Sequence, residues 1–177
     1  MSVIIDGSAG VTTNSGAIYN GIASGTAVAS TSGTSIDFTS IPSWVKRITV
    51  MFNGVSLSGT SNILVQIGSG SVTTSGYSSS STIAGSTNST AGLNSTAGFI
   101  VNIGSGAANL FSGVATINLI SGTTWVSSNS GGLTNATYGS NGGGVSPALS
   151  TTLDRVRITT VNGTDTFDAG SINILYE

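Results

Sequence analysis

The chain has 177 residues, 6% of them charged, a net charge of −2, and neither His nor Cys. Ordinary soluble domains carry roughly 25% charge, whereas residues 48–153 here carry none. Disulfides, thiolate or imidazole metal sites and Ser–His–Asp or Cys–His nucleophiles are thereby excluded. Four basic residues are also too few for binding nucleic acid through its phosphates.

In chain order, residues 1–30 read as a polar arm, with Ile4, Ile5 and Ile18, helped by Val11 and Ile22, as its anchors. The first residues lack the basic flank and long apolar stretch of an export signal. No run approaches the roughly 18 apolar residues that span a membrane. Helix formers are scarce and Gly or Ser interrupts nearly every stretch, so alternating strands carry the pattern instead.

A short strand is predicted at residues 36–38, stopped before Pro42. Residues 47–53 alternate with Ile48, Val50 and Phe52 on one face, and Asn53-Gly54 follows as a turn dipeptide. Further strands put Ile63, Val65 and Ile67, then Phe99, Val101 and Ile103, then Ile117 and Leu119 inward. Residues 124–126 make a short strand. Residues 153–159 bury Val156 and Ile158 and expose Arg155 and Arg157. After Asn162-Gly163 turns the chain, Ile172, Ile174 and Tyr176 close it. The stretches 71–97 and 127–150, rich in Gly, Ser, Thr and Asn, read as long loops, each with room for an edge strand.

About eight short antiparallel strands imply an all-β fold: an antiparallel β-sandwich, jelly-roll-like, or a barrel, over residues 31–177 behind the arm. Apolar residues make up 38% and aromatics 6%. So light a core favours burial against identical copies.

Among individual residues, Trp44 reads as an aromatic plug at the end of the sandwich. Trp125 reads either as core or as a stacking surface. Tyr77 and Tyr138 lie in polar Gly/Ser stretches. An exposed aromatic there could stack on a sugar ring while Asn and Ser hydrogen-bond it, or could pin its own loop. Asn162, Asp165 and Asp168 offer oxygen for a hard cation, but Asp and Asn at turns usually cap their own backbone. Asp154 with Arg155 or Arg157, and Asp37 with Lys46 or Arg47, read as charges that discourage edge-to-edge aggregation. The run Gly142-Gly143-Gly144 lacks the Lys and following helix of a phosphate loop. The glycosylation sequons at Asn88, Asn94, Asn135 and Asn162 are expected by chance in such a composition. No metal or cofactor is expected.

Residues 35–56 (SIDFTSIPSWVKRITVMFNGVS) and 153–174 (LDRVRITTVNGTDTFDAGSINI), with 62–70 between them, resemble the bookends of a bacteriophage tail-fibre C-terminal domain family. The resemblance implies a virion structural protein, assembled in the host cytoplasm, with a β-rich, trimeric head facing the host surface. Such domains commonly end a long fibre polypeptide, whereas only about thirty residues precede the domain here. The arm is therefore expected to attach it, through Ile4, Ile5 and Ile18, to another fibre protein, a baseplate or a capsid. The leading expectation is a non-enzymatic receptor-binding head contacting host glycans through Tyr77, Trp125 and Tyr138. The alternative is a capsid decoration (cement) protein stabilising the shell. An exported adhesin, an ice binder and an enzyme rank lower. The first lacks a signal, the second a Thr period, and the third a carboxylate pair in the central region.

Overall fold

The computed structural model describes residues 3–6, 10–13, 16–17, 21–85 and 90–177. Every regular element among them is a β-strand. In chain order these are β1 (Val3–Asp6), β2 (Gly10–Thr13), β3 (Gly16–Ala17), β4 (Ala23–Ser24), β5 (Val28–Ala29) and β6 (Ser35–Thr39). Then come β7 (Arg47–Leu57), β8 (Ile63–Ser69), β9 (Ser71–Val72), β10 (Ser78–Gly85), β11 (Thr90–Ser95) and β12 (Phe99–Val101). The last are β13 (Phe111–Ser121), β14 (Thr124–Leu133), β15 (Tyr138–Val145), β16 (Arg155–Thr160) and β17 (Phe167–Tyr176).

Two antiparallel sheets pack face to face. One runs β12-β8-β16-β6, with β9 on β8. The other runs β11-β10-β15-β14-β13-β7-β17-β4, with β5 on β17. The chain crosses between the sheets in jelly-roll fashion. If β6, β7, β8, β10, β11, β12, β13 and β16 are taken as the first to eighth strands, the sheets read 1-8-3-6 and 2-7-4-5. The hairpin β14–β15 is inserted between the seventh and fourth strands, and β17 is added outside the second. A separate small sheet pairs β1 with β2 and β2 with β3. Residues 23–24 and 28–29, assigned to the arm by sequence, pair with β17.

The alternating apolar residues do what their period requires. Ile48, Val50, Ile63, Val65, Ile67, Phe99, Val101, Ile117, Val156, Ile158 and Ile172 are buried between the sheets. Phe111, Trp125 and Phe167 add the bulk, and Phe52 meets Phe111 edge to face at 5.5 Å. Trp44 packs on the margin of this core, 6.0 Å from the Tyr176 ring.

Two sequence expectations are corrected. Asn53-Gly54 does not end a strand; β7 continues through it to Leu57. The pair forms a bulge, because Phe111 faces Val55 while Gly113 faces Phe52. Gly54 takes φ of 60°, and its N–H donates to Ser112 Oγ at 2.9 Å. A left-handed glycine is the residue that such a bulge needs. The second correction concerns the expected long loops at 71–97 and 127–150. They are largely strand: β10, β11, the greater part of β14, and β15, which form one half of the larger sheet. Backbone pairing and the buried alternation Ser79, Ser81, Ile83 override a composition that looks loop-like.

The free edge of β8 shows how this sheet is finished. β12 pairs with β8 at residues 63–65, and β9 pairs with it at 68–69. Between them the Tyr77 hydroxyl accepts from Ile67 N–H at 2.9 Å and lies 3.2 Å from the carbonyls of Ile67 and Thr73, to either of which it can donate. One phenol thus stands in for a missing strand residue. Replacing Tyr77 by Phe leaves a buried N–H unpaired and should cost about 1–3 kcal/mol. Urea denaturation checks this, with Tyr138→Phe, on an exposed ring, expected to stay within about 0.5 kcal/mol of wild type.

Candidate functional site

At one end of the sandwich lies an open hollow of about 460 Å³, within the range of roughly 300–1,000 Å³ that small-molecule sites occupy. Ile83 of β10 and Leu133 of β14, both nearly buried, form its apolar floor. Ala91 and Leu93 of β11 make one wall and Tyr138, at the start of β15, another. Leu93 and Tyr138 are 39% and 38% exposed, so both present surface to solvent. The polar groups come from Asn62, Asn102 and Ser105.

Local packing fixes these groups. Tyr138 faces Gly85 across the β10–β15 pair, and a Cβ on Gly85 would collide with the Tyr138 ring. Glycine at that position is what lets the aromatic ring lie over the neighbouring strand. Asn102 is held by three bonds: its N–H to Ser81 Oγ at 3.2 Å, its Nδ2 to Ala91 O at 3.1 Å, and Gly104 N–H to its Oδ1 at 2.9 Å. Asn62 accepts from Ile103 N–H through Oδ1 at 2.8 Å, which directs its amide nitrogen elsewhere. The turn beyond is pinned by Asn109 Nδ2 donating to Ile103 O at 2.8 Å.

Of the three aromatic residues expected to contact a ligand, only Tyr138 lines this hollow. Tyr77 and Trp125 are both 2% exposed and cannot offer a ring face to a sugar. Tyr77 stacks edge to face on Phe99 at 5.1 Å, and burial pushes its phenol up to about 12. Trp125 is among the largest fully buried side chains, facing the core on β14. Trp125 sits at an inward position of the pleat, and Tyr77, just before β10, turns inward to the edge of β8, which composition alone conceals. Of the arm residues, Ile4 and Ile5 fall in β1, opposite Thr12 and Val11, and Ile18 lies outside the described residues. Reading the sequence missed Leu93, Asn102, Ser105 and Leu133. No hydropathy pattern marks them, since the strand residues 79–83 read Ser-Ser-Ser-Thr-Ile.

The carboxylates of Asp37, Asp154, Asp165, Asp168 and Glu177 are engaged in structural bonds. Asn162 Oδ1 accepts from the N–H groups of Thr164 and Asp165, capping the turn in which Gly163 adopts φ of 68°. Asp165 accepts from Ser61 N–H, and Asp168 from the Ser56 hydroxyl. Among the described residues no three His, Cys, Asp or Glu side chains gather as a metal cluster would. Asp37 pairs with Arg157 across β6 and β16, through two bonds of 2.7 Å, not with Lys46 or Arg47. Arg47 instead pairs with Glu177, and Asp154 with its neighbour Arg155. All the residues lining the hollow come from the charge-free stretch. The hollow can therefore hold an uncharged amphiphilic ligand, but it carries no acid–base pair.

No known protein-family model matches the chain, and no curated protein matches it.

The bond from Arg157 holds the Asp37 carboxyl below the usual carboxylate range. A depressed folded-state value gives stability that is complete above the unfolded value of about 3.9 and is lost as pH falls through the folded one. Both side chains are over a third exposed, so solvent screening limits the term to about 0.5–1 kcal/mol. Asp37→Asn should lose that amount at pH 7. The gap from wild type should close as pH drops below about 4, as read from urea midpoints along a pH series.

Proposed function

We propose that this chain is a non-enzymatic structural protein of a bacteriophage virion, acting as a receptor-binding head at a fibre tip. The observation that carries this reading is the Tyr138 hollow: an uncharged, partly apolar recess built largely on strands. A recess with an aromatic wall and amide groups suits recognition, and its lining holds no carboxylate, imidazole, thiol or amine. The resemblance of residues 35–56 and 153–174 to tail-fibre C-terminal domains points the same way. Those two segments contribute β6 with its partner β16, and β7 with its partner β17. The matching stretches thus form paired strands of one scaffold, and all of the hollow's lining except Asn62 comes from the region between them that lies outside the resemblance. A homotrimer attached through residues 1–30 to other virion proteins completes the proposal.

A second reading, a capsid decoration protein, draws support from the outer face of the larger sheet. Val114 and Val145 are exposed there among Thr116, Ser128, Ser130 and Asn141, with no charge between them. Such a face suits close packing on another protein.

Antibody labelling of purified phage, viewed by electron microscopy, separates the two readings. Label at the distal end of tail fibres is expected. Label over the shell would favour decoration, and absence from particles would sink both.

A further inference from the structure

We infer that the hollow at Tyr138 is a subsite for an uncharged sugar ring. The inference rests on the recognition-head reading and names the chemistry that the head selects.

A pyranose has two faces of different character: axial C–H groups make one side apolar, while hydroxyls ring the edge. The hollow matches this division. Ile83 and Leu133 provide an apolar base, and the Tyr138 and Leu93 side chains stand exposed beside it. Asn62, Ser105 and Tyr138, which also line the hollow, carry amide and hydroxyl groups of the kind that the hydroxyls of a sugar need as donors and acceptors.

Two further features narrow the ligand. First, the Tyr138 ring lies over Gly85, where no side chain could fit beneath it. An aromatic held in place before binding loses little side-chain entropy when a ring stacks on it. Second, residues 48–153 contain no Lys or Arg, and the lining is drawn wholly from them. An anionic sugar such as a sialic or uronic acid would lose its hydration here without gaining a cationic partner. Discrimination between neutral and acidic glycans therefore follows from what the site omits.

The test uses the full chain on a printed array pairing uncharged oligosaccharides with their sialylated and uronate-containing counterparts. Hits are then titrated by ligand-observed NMR. Binding should be confined to uncharged glycans, fall at least tenfold in Tyr138→Ala, and largely return in Tyr138→Phe, which keeps the ring. Leu93→Glu should reduce binding without shifting the unfolding midpoint, which guards against a merely misfolded Tyr138 variant. Preferred binding of acidic glycans, binding that survives both substitutions, or no binding at all would overturn the inference. A failed array with antibody label still at the fibre tip removes only the sugar; glycan binding by a protein missing from particles removes only the virion reading.

Discussion

The structure depends on how the outer edge of β12 is satisfied. This three-residue strand borders the smaller sheet and pairs with β8 on one side only. Its other side pairs with no strand among the described residues. Instead Ile100 N–H donates to Ser79 Oγ at 2.8 Å, Asn102 N–H donates to Ser81 Oγ at 3.2 Å, and Asn129 Nδ2 donates to Ile100 O at 3.1 Å. All three partners are side chains of the opposite sheet. A buried backbone group without a partner costs about 1–3 kcal/mol, so these bonds let an edge strand enter the interior. The inward positions between them on β15 are Gly142 and Gly144, each flanked by Ser79 or Ser81 on β10 and by Ser127 or Asn129 on β14. With no side chain at either glycine, β12 can lie against β15. Serine, asparagine and glycine here are the material of a sheet-to-sheet seam.

That seam divides the molecule into two regimes. Toward β7, β13 and β16, the sheets are joined by Ile, Val and Phe, and stability follows from apolar burial at roughly 25 cal/mol per Å². Toward β10, β14 and β15, they are joined by hydroxyls and amides. There Ser127 Oγ, Asn129 Oδ1, Ser140 Oγ and Trp125 Nε1 are buried without a hydrogen bond to other described residues. Direct bonds from Ser79, Ser81 and Asn129 offset part of that cost. The hollow opens at the polar end, between the hairpins that carry the seam. The hollow and the polar packing therefore draw on the same strands.

The sequence made half of this architecture legible. Wherever Ile, Val or Phe alternates with polar residues, as in 47–52, 63–67, 99–103 and 155–158, strand and inward face could both be read. Asp37 and Arg157 illustrate the limit. Their charges were visible, but their pairing depends on β6 lying beside β16, a neighbour relation that local pattern does not encode. Residues 78–85 and 138–145 were obscured for a different reason. Their period of two is written in Ser against Ser and Gly against Asn, residues with low strand propensity and no hydropathy contrast. Tyr77 and Trp125 could each be read two ways, as ligand contacts or as packing residues, and burial decides for packing.

The same composition bears on why a recognition surface would be built this way. Long charged side chains lose much rotamer freedom when they are ordered, whereas Ser, Asn and Tyr lose less for each hydrogen bond or ring contact they make. Loops presenting such residues must themselves be ordered on binding. Here the hollow is lined mainly from strands whose backbone bonds already fix Ile83, Leu93, Leu133 and Tyr138, and Asn102 is locked by three bonds of its own. Low charge also removes long-range steering, so encounter with a target depends on proximity and copy number more than on attraction. A weak, neutral, preformed contact gains strength when several copies engage one surface together. That is the physical case for the proposed trimer, in which the affinity of one copy would be a poor guide to the avidity of three.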